Sequence, residues 1–213
     1  MPRPNSPAAT RLRLIGGAQA ADHVQGPSDE ALVLRARAAD GGSTTAFELL
    51  YRRHAATALN LAVRIQGSTA DVEDIVHDAF VRAHQRLAEL REPAAFRSWL
   101  GSIVVRLVRT RLRRRRLVAM LGLAAPEPVD LDSVAAPGVD PEARVLLAQV
   151  YALLQTLPTD ERIAWTLRYV ERHRLESVAE LAGCSLATAK RRIARAQAFL
   201  EEHFVSPFAE ERT

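Results

Sequence analysis

Cysteine occurs once in the 213 residues, at Cys184, which excludes a disulfide framework and a thiolate metal cluster. Lysine also occurs once, at Lys190, so the basic character of the chain is almost entirely arginine. Arginine favours planar, bidentate contacts to phosphates and guanine; an Ala- and Arg-rich chain also reflects a GC-rich genome, and both causes apply. No apolar run reaches the ~20 residues that cross a bilayer as a helix. No charged-then-apolar leader opens the chain either. Together these absences point to a soluble, cytoplasmic protein. Strand-like alternation of useful length and internal repeats are missing too, which leaves an all-α reading.

What is present is helical periodicity in two blocks. The expectation is two small helical domains, at 28–117 and 141–204, joined by a flexible linker at 118–140. A disordered basic arm (1–27, with Arg3, Arg11 and Arg13) precedes them and a short polar tail (205–213) follows. The linker contains Pro126, Pro128, Pro137 and Gly138, four acids and no basic residue, the composition of a tether between domains.

In the first block, Ser28 with Asp29 and Glu30 reads as a capped helix start, and Gly41-Gly42 as its break. A second helix runs from Ser43 or Thr44 to Gly67. The third, Ser68 to Leu90, buries Val72, Ile75, Val76, Ala79, Phe80, Ala83 and Leu87 and puts Asp71, Asp74 and Asp78 on the opposite side with His77. Such a carboxylate face is open to three readings: a divalent-metal site, a solvated surface, or a protein-docking face. After Pro93 a fourth helix, Ala94 to Leu117, buries Phe96, Trp99, Leu100, Ile103 and Leu107. It carries an arginine stripe at Arg106, Arg109, Arg113 and Arg116 with no acid between Trp99 and Arg116. Like charges at that density are relieved by a polyanion that releases its condensed counterions, so nucleic acid is favoured over a membrane surface.

In the second block, Pro141 opens a helix that Pro158 ends, and Thr159 is expected to cap the next. Then come two short helices about Gly183, a residue suited to leaving a helix in the left-handed conformation. Ser185 is placed to cap the second of them, whose Ala189, Ile193, Ala196 and Leu200 form one buried face. Ala187, Thr188, Arg191 and Arg195 point outward, flanked by Lys190 and Arg192. A neighbour-braced helix exposing small residues and arginines fits a DNA major groove, which reads as a helix-turn-helix.

Four segments in order, DVEDIVHDAFVRA (Asp71 to Ala83), FRSWLGSIVVRLVRTRLRRRR (Phe96 to Arg116), LQTLPTDERIAWTLRYVE (Leu154 to Glu171) and SVAELAGCSLATAKRRIARA (Ser177 to Ala196), resemble bacterial RNA polymerase sigma factors of the extracytoplasmic-function group. The resemblance implies a non-catalytic promoter-specificity subunit with no cofactor and no metal. Its partners would be core polymerase (the largest subunit's clamp helices, and the flap), promoter DNA and, in some members, an anti-sigma factor.

The same resemblance assigns candidate sites. Asp71, Asp74, His77, Asp78 and Phe80 would dock on core, which favours docking for the acidic face. Phe96, Trp99, Arg106, Arg109 and Arg113 would meet the −10 element. Ser185, Ala187, Thr188, Lys190, Arg191, Arg192 and Arg195 would meet the −35 element, and the acidic linker would thread the RNA channel. Two departures concern the −10 helix: the family commonly has Asn at Arg106 and Asp at Thr110, which bears on base preference. The rival readings are a stand-alone helix-turn-helix regulator, which leaves the arginine helix unexplained, and a metal-dependent nuclease or recombinase on Asp71, Asp74 and Asp78.

Overall fold

The computed structural model describes residues 26–38, 43–123, 129–135 and 138–204. Most of the expected arm, the Gly41-Gly42 break, parts of the linker and the tail lie outside these. Helix α1 (Asp29–Arg37) starts where Ser28 Oγ accepts the Ala31 N–H at 3.2 Å, with Asp29 and Glu30 in the positive first turn. Helices α2 (Ser43–Gln66), α3 (Val72–Gln85) and α4 (Phe96–Met120) complete the first bundle. Asp29 ties α1 to α2, accepting from Arg53 at 2.6 Å and lying 2.8 Å from His54 Nε2. Burial pushes His54 below its ordinary value against the pull of that carboxylate, so the ring is neutral and donates.

The third helix is shorter than its periodicity suggests. Asp71 stands ahead of α3 in a left-handed conformation (φ 58°), and its carboxylate accepts from Arg111 and Arg115, each at 3.0 Å. At the other end the chain tightens into a 3-10 turn at Leu87–Glu89, and a second such turn at Pro93–Ala95 leads into α4. The fourth helix in turn runs one turn beyond Leu117.

The second bundle follows a single-turn helix, α5 (Leu131–Val134), and consists of α6 (Pro141–Thr156), α7 (Thr159–Trp165), α8 (Leu175–Ala182) and α9 (Leu186–His203). Asp140 caps α6, its Oδ1 accepting the Ala143 N–H at 2.8 Å. Thr159 does not cap α7: Pro158 occupies that position and Thr159 is the first helical residue, with Asp160 and Glu161 behind it. Helix α7 widens into a π turn over Thr166–Val170 before the chain reverses.

The two bundles pack together through α4. Its inner side buries Phe96, Leu100 and Ile103 as the periodicity predicts, with Val104 beside them, while the expected Trp99 and Leu107 are only partly buried; on another side Val105, Val108 and Leu112 are buried as well. With Gly101 these form a second line at i, i+4, i+7 and i+11, and a Cβ on Gly101 would lie 3.0 Å from Leu181 of α8. A helix shared by two layers needs a wider apolar arc than a one-sided surface helix.

The linker departs from a free tether. Within it, residues 129–135 lie against α2: the Asp130 N–H donates to Gly67 O at 2.9 Å, the Thr69 hydroxyl donates to Asp130 Oδ2 at 3.1 Å, and Val134 is buried. The physical reason is the open carboxyl end of α2, which supplies acceptors that a neighbouring strand of chain can satisfy.

Candidate nucleic-acid and polymerase interfaces

Helix α9 is held by its neighbours along one side and leaves a basic side open. Gly183 leaves α8 at φ 60°, the Cys184 N–H donates back to Ala179 O, and Ser185 Oγ accepts the Thr188 N–H at 3.2 Å to start α9. Ala189, Ile193, Ala196 and Leu200 are buried, which pins the helix, while Trp165 donates its indole N–H to Gln197 at 2.8 Å. Ser185, Ala187, Lys190, Arg191 and Arg195 are exposed, and Thr188 is half-buried beside Ser185. Lys190 and Arg191 carry no ion pair among the described residues. Arg195 lies 3.7 Å from Glu161, a weak surface pair, whereas Arg192 turns inward and donates to Asp160 at 2.8 Å.

The arginines of α4 divide by direction. Arg111 and Arg115 point to Asp71, and their hydrogen bonds hold its carboxyl below the usual range. Three of the stripe face the second bundle. Arg109 donates to Ala182 O and its Nε sits 2.9 Å from Asp160 Oδ1, an ionic contact without hydrogen-bond alignment. Arg113 donates to Asp160 at 2.9 Å and Arg116 to Leu157 O at 2.9 Å. Arg106 stays exposed with no acidic partner among the described residues. Of the aromatic candidates, Phe96 is fully buried against His54 and Trp99, where it supports the helix from inside and cannot reach DNA. Trp99 is half-buried and keeps an edge accessible.

On α3, Asp74, His77 and Asp78 are exposed and form one face. Asp71 is off that face, and Phe80 is buried, its ring 4.7 Å from Tyr51 and 6.4 Å from Phe47. No three of His, Cys, Asp and Glu converge to hold a metal ion among the described residues. Periodicity missed Val81, 41% exposed at i+7 from Asp74 and i+3 from Asp78, with Tyr51 (43% exposed) on the neighbouring helix. The signal was available: Val81 is an apolar residue on the polar side of an otherwise regular helix.

Comparison with known proteins agrees with this architecture. The Sigma-70 region 2 family matches residues 50–118, and the Sigma-70, region 4 family matches residues 147–200. The ECF RNA polymerase sigma-E factor of Haemophilus influenzae is 30% identical over 182 residues, covering 82% of this chain and 94% of its own length. The ECF RNA polymerase sigma factor SigE of Mycolicibacterium smegmatis is 30% identical over 175 residues, 80% of this chain and 66% of its own. A probable RNA polymerase sigma factor, RfaY, of Xanthomonas campestris is 34% identical over 71% of this chain, which spans only 38% of that protein's length. Among solved structures, CnrH in complex with the cytosolic domain of CnrY superposes with a TM-score of 0.54 at 27% identity, covering 83% of this chain and 96% of that one. The chain therefore belongs to the sigma-70 family of bacterial RNA polymerase sigma factors, in its extracytoplasmic-function group. No helix among the described residues is long and apolar enough to cross a membrane.

Proposed function

We propose that this chain binds core RNA polymerase in the cytoplasm and directs promoter-specific initiation as a non-catalytic subunit. In this reading the α3 face docks on core, α4 meets the −10 element and α9 reads the −35 element. The observation that carries it is the pairing, in one chain of this family, of a braced helix with unpaired Lys190 and Arg191 and a separate exposed acidic–apolar face on α3. A stand-alone regulator needs the first and has no use for the second. Asp74, His77, Asp78, Val81 and Tyr51 form the docking surface, mixing charge that sets orientation with apolar area that supplies affinity. Of the four stripe arginines, Arg106 is the one left free to read a base; its planar fork of donors fits guanine. CnrH was solved in complex with the cytosolic domain of CnrY, and an anti-sigma factor is a further partner we propose for this chain.

The test is direct binding to purified core polymerase. Asp74→Arg together with Asp78→Arg should abolish co-purification while leaving the circular dichroism spectrum and melting temperature unchanged, since both side chains are exposed. Undiminished binding by the double variant would remove α3 as the docking face.

A further inference from the structure

Helix α4 does not stop where the bundles stop. Beyond Arg116 only Val118 is half-buried; Leu117, Met120, Leu121 and Leu123 are 59–77% exposed. A Cβ added at Gly122 would meet nothing within 4 Å, so this end projects from the body of the protein. It is nonetheless a closed helix end. The Gly122 N–H donates to Ala119 O at 3.0 Å and the Leu123 N–H to Val118 O at 3.1 Å, the paired bonds of a Schellman cap. These four side chains are among ten large apolar ones exposed in the described residues, and they fall within seven positions. Apolar exposure gathered in this way marks a contact surface, where single scattered residues would not.

What adjoins the tip narrows the occupant. Leu117, Met120 and Leu121 continue the line of Arg113 and Arg114 along the side of α4 turned away from the buried Val108 and Leu112. Arg113, Arg114 and Arg116 are exposed, and no acid lies between Trp99 and Leu123. Arg113 meets Asp160 yet keeps its side chain 61% exposed, and Arg114 has no ion pair among the described residues. The occupant must therefore be anionic around the arginines and apolar beyond them. A second copy would bring like charges together. A DNA duplex would satisfy the arginines and leave four apolar side chains in water. A protein partner would need a groove shaped around a convex end. An anionic bilayer surface meets both demands, with phosphates at the level of the arginines and hydrocarbon below. From Arg114 or Arg116 to Met120 or Leu121 the axial distance is roughly 6–10 Å at 1.5 Å per residue. Interfacial helices sink apolar side chains to a comparable ~5–10 Å.

We propose that the end of α4 is a contact site for an anionic lipid surface. Leu117, Met120, Leu121 and Leu123 enter the acyl boundary, and Arg113, Arg114 and Arg116 bind headgroup phosphates while their stems lie along it. A chain held this way has Arg113 on lipid instead of DNA, which keeps an idle factor from promoters; that consequence alone rests on the function proposed above.

Sedimentation of the full chain with vesicles tests the site, and neither DNA nor core is present, so the result is independent of the promoter reading. The chain should bind equimolar phosphatidylglycerol and phosphatidylcholine vesicles and leave pure phosphatidylcholine vesicles unoccupied. Met120→Gln with Leu121→Gln preserves the charge and removes apolar area, and should weaken binding by about tenfold or more. Its melting temperature should not change, since both side chains are exposed. A nitrobenzoxadiazole label at Leu123→Cys, in a Cys184→Ser background, should shift to the blue on the acidic vesicles and be quenched by lipids carrying a nitroxide near the headgroup. Absence of binding to the acidic vesicles overturns the proposal. Equal binding by the glutamine variant, or an unshifted label, also overturns it, because the attraction is then charge alone. A glutamine variant that binds vesicles as the native chain does but no longer co-purifies with core assigns the tip to a protein partner and overturns the lipid site as well.

Discussion

Gly67→Ala puts the fit of the two halves on a quantitative footing. Gly67 ends α2 at φ +68°, where a side chain costs roughly 1–2 kcal/mol. A Cβ there would also lie 2.9 Å from Cδ1 of Tyr151 and 3.3 Å from the Arg162 guanidinium. Tyr151 is fully buried, so its ring cannot swing aside, and overpacking of that kind adds about 1–3 kcal/mol. The expected total is about 2–5 kcal/mol. Gly183 supplies the internal control: it has nearly the same φ, +60°, and nothing within 4 Å of the added atom, so Gly183→Ala should cost only the roughly 1–2 kcal/mol backbone share. Urea denaturation followed by circular dichroism measures both. Equal losses for the two substitutions would show that Tyr151 and Arg162 do not sit against Gly67 in solution, and the packing of the halves described above would fall with them.

Other outcomes are equally specific. Arg191→Ala should weaken transcription and relax preference at one or two −35 base pairs by about 1–3 kcal/mol, read from activity on a set of −35 mutant promoters; an unchanged ranking with unchanged activity removes α9 as the reading helix. Arg106→Asn should alter the sequence recovered from a randomised −10 library, whereas a uniform loss on all promoters with a shallower salt dependence marks a phosphate contact. His54 is held neutral by burial, its folded value lying below the ordinary 6.5, so the unfolded chain binds the proton more readily. Its contribution is therefore complete above that value and lost as pH falls through it, and unfolding free energy should drop between pH 7.5 and 5.5 with a smaller drop in His54→Gln.

Local signals were readable from the residues alone. The buried face of α9, the Ser185 cap and the Gly183 turn each depend on spacing within a dozen residues, and the structure has all three. The exposed run of α3 followed from the same period. What could not be read was set at long range. Asp160 looks like any acid in a first helical turn, and Arg162 like a surface arginine one turn inside; only the folded chain brings one to three arginines and buries the other against the end of α2. Val105, Val108 and Leu112 were missed for a related reason. A one-faced helix template assigns them to solvent, and their burial depends on a second bundle many residues away. Asp71 matched the spacing of Asp74 and Asp78, yet α3 begins one residue after it and its carboxylate turns to Arg111 and Arg115.

Run-off transcription tests the central claim most directly. Purified chain, core polymerase and fragments of the source genome are combined, and transcripts are mapped with each component omitted in turn. The account predicts discrete start sites that require both chain and core and that share two upstream sequence elements at fixed spacing. Start sites made by core alone, or a chain that retains specific DNA fragments without core and adds no transcripts, would contradict it.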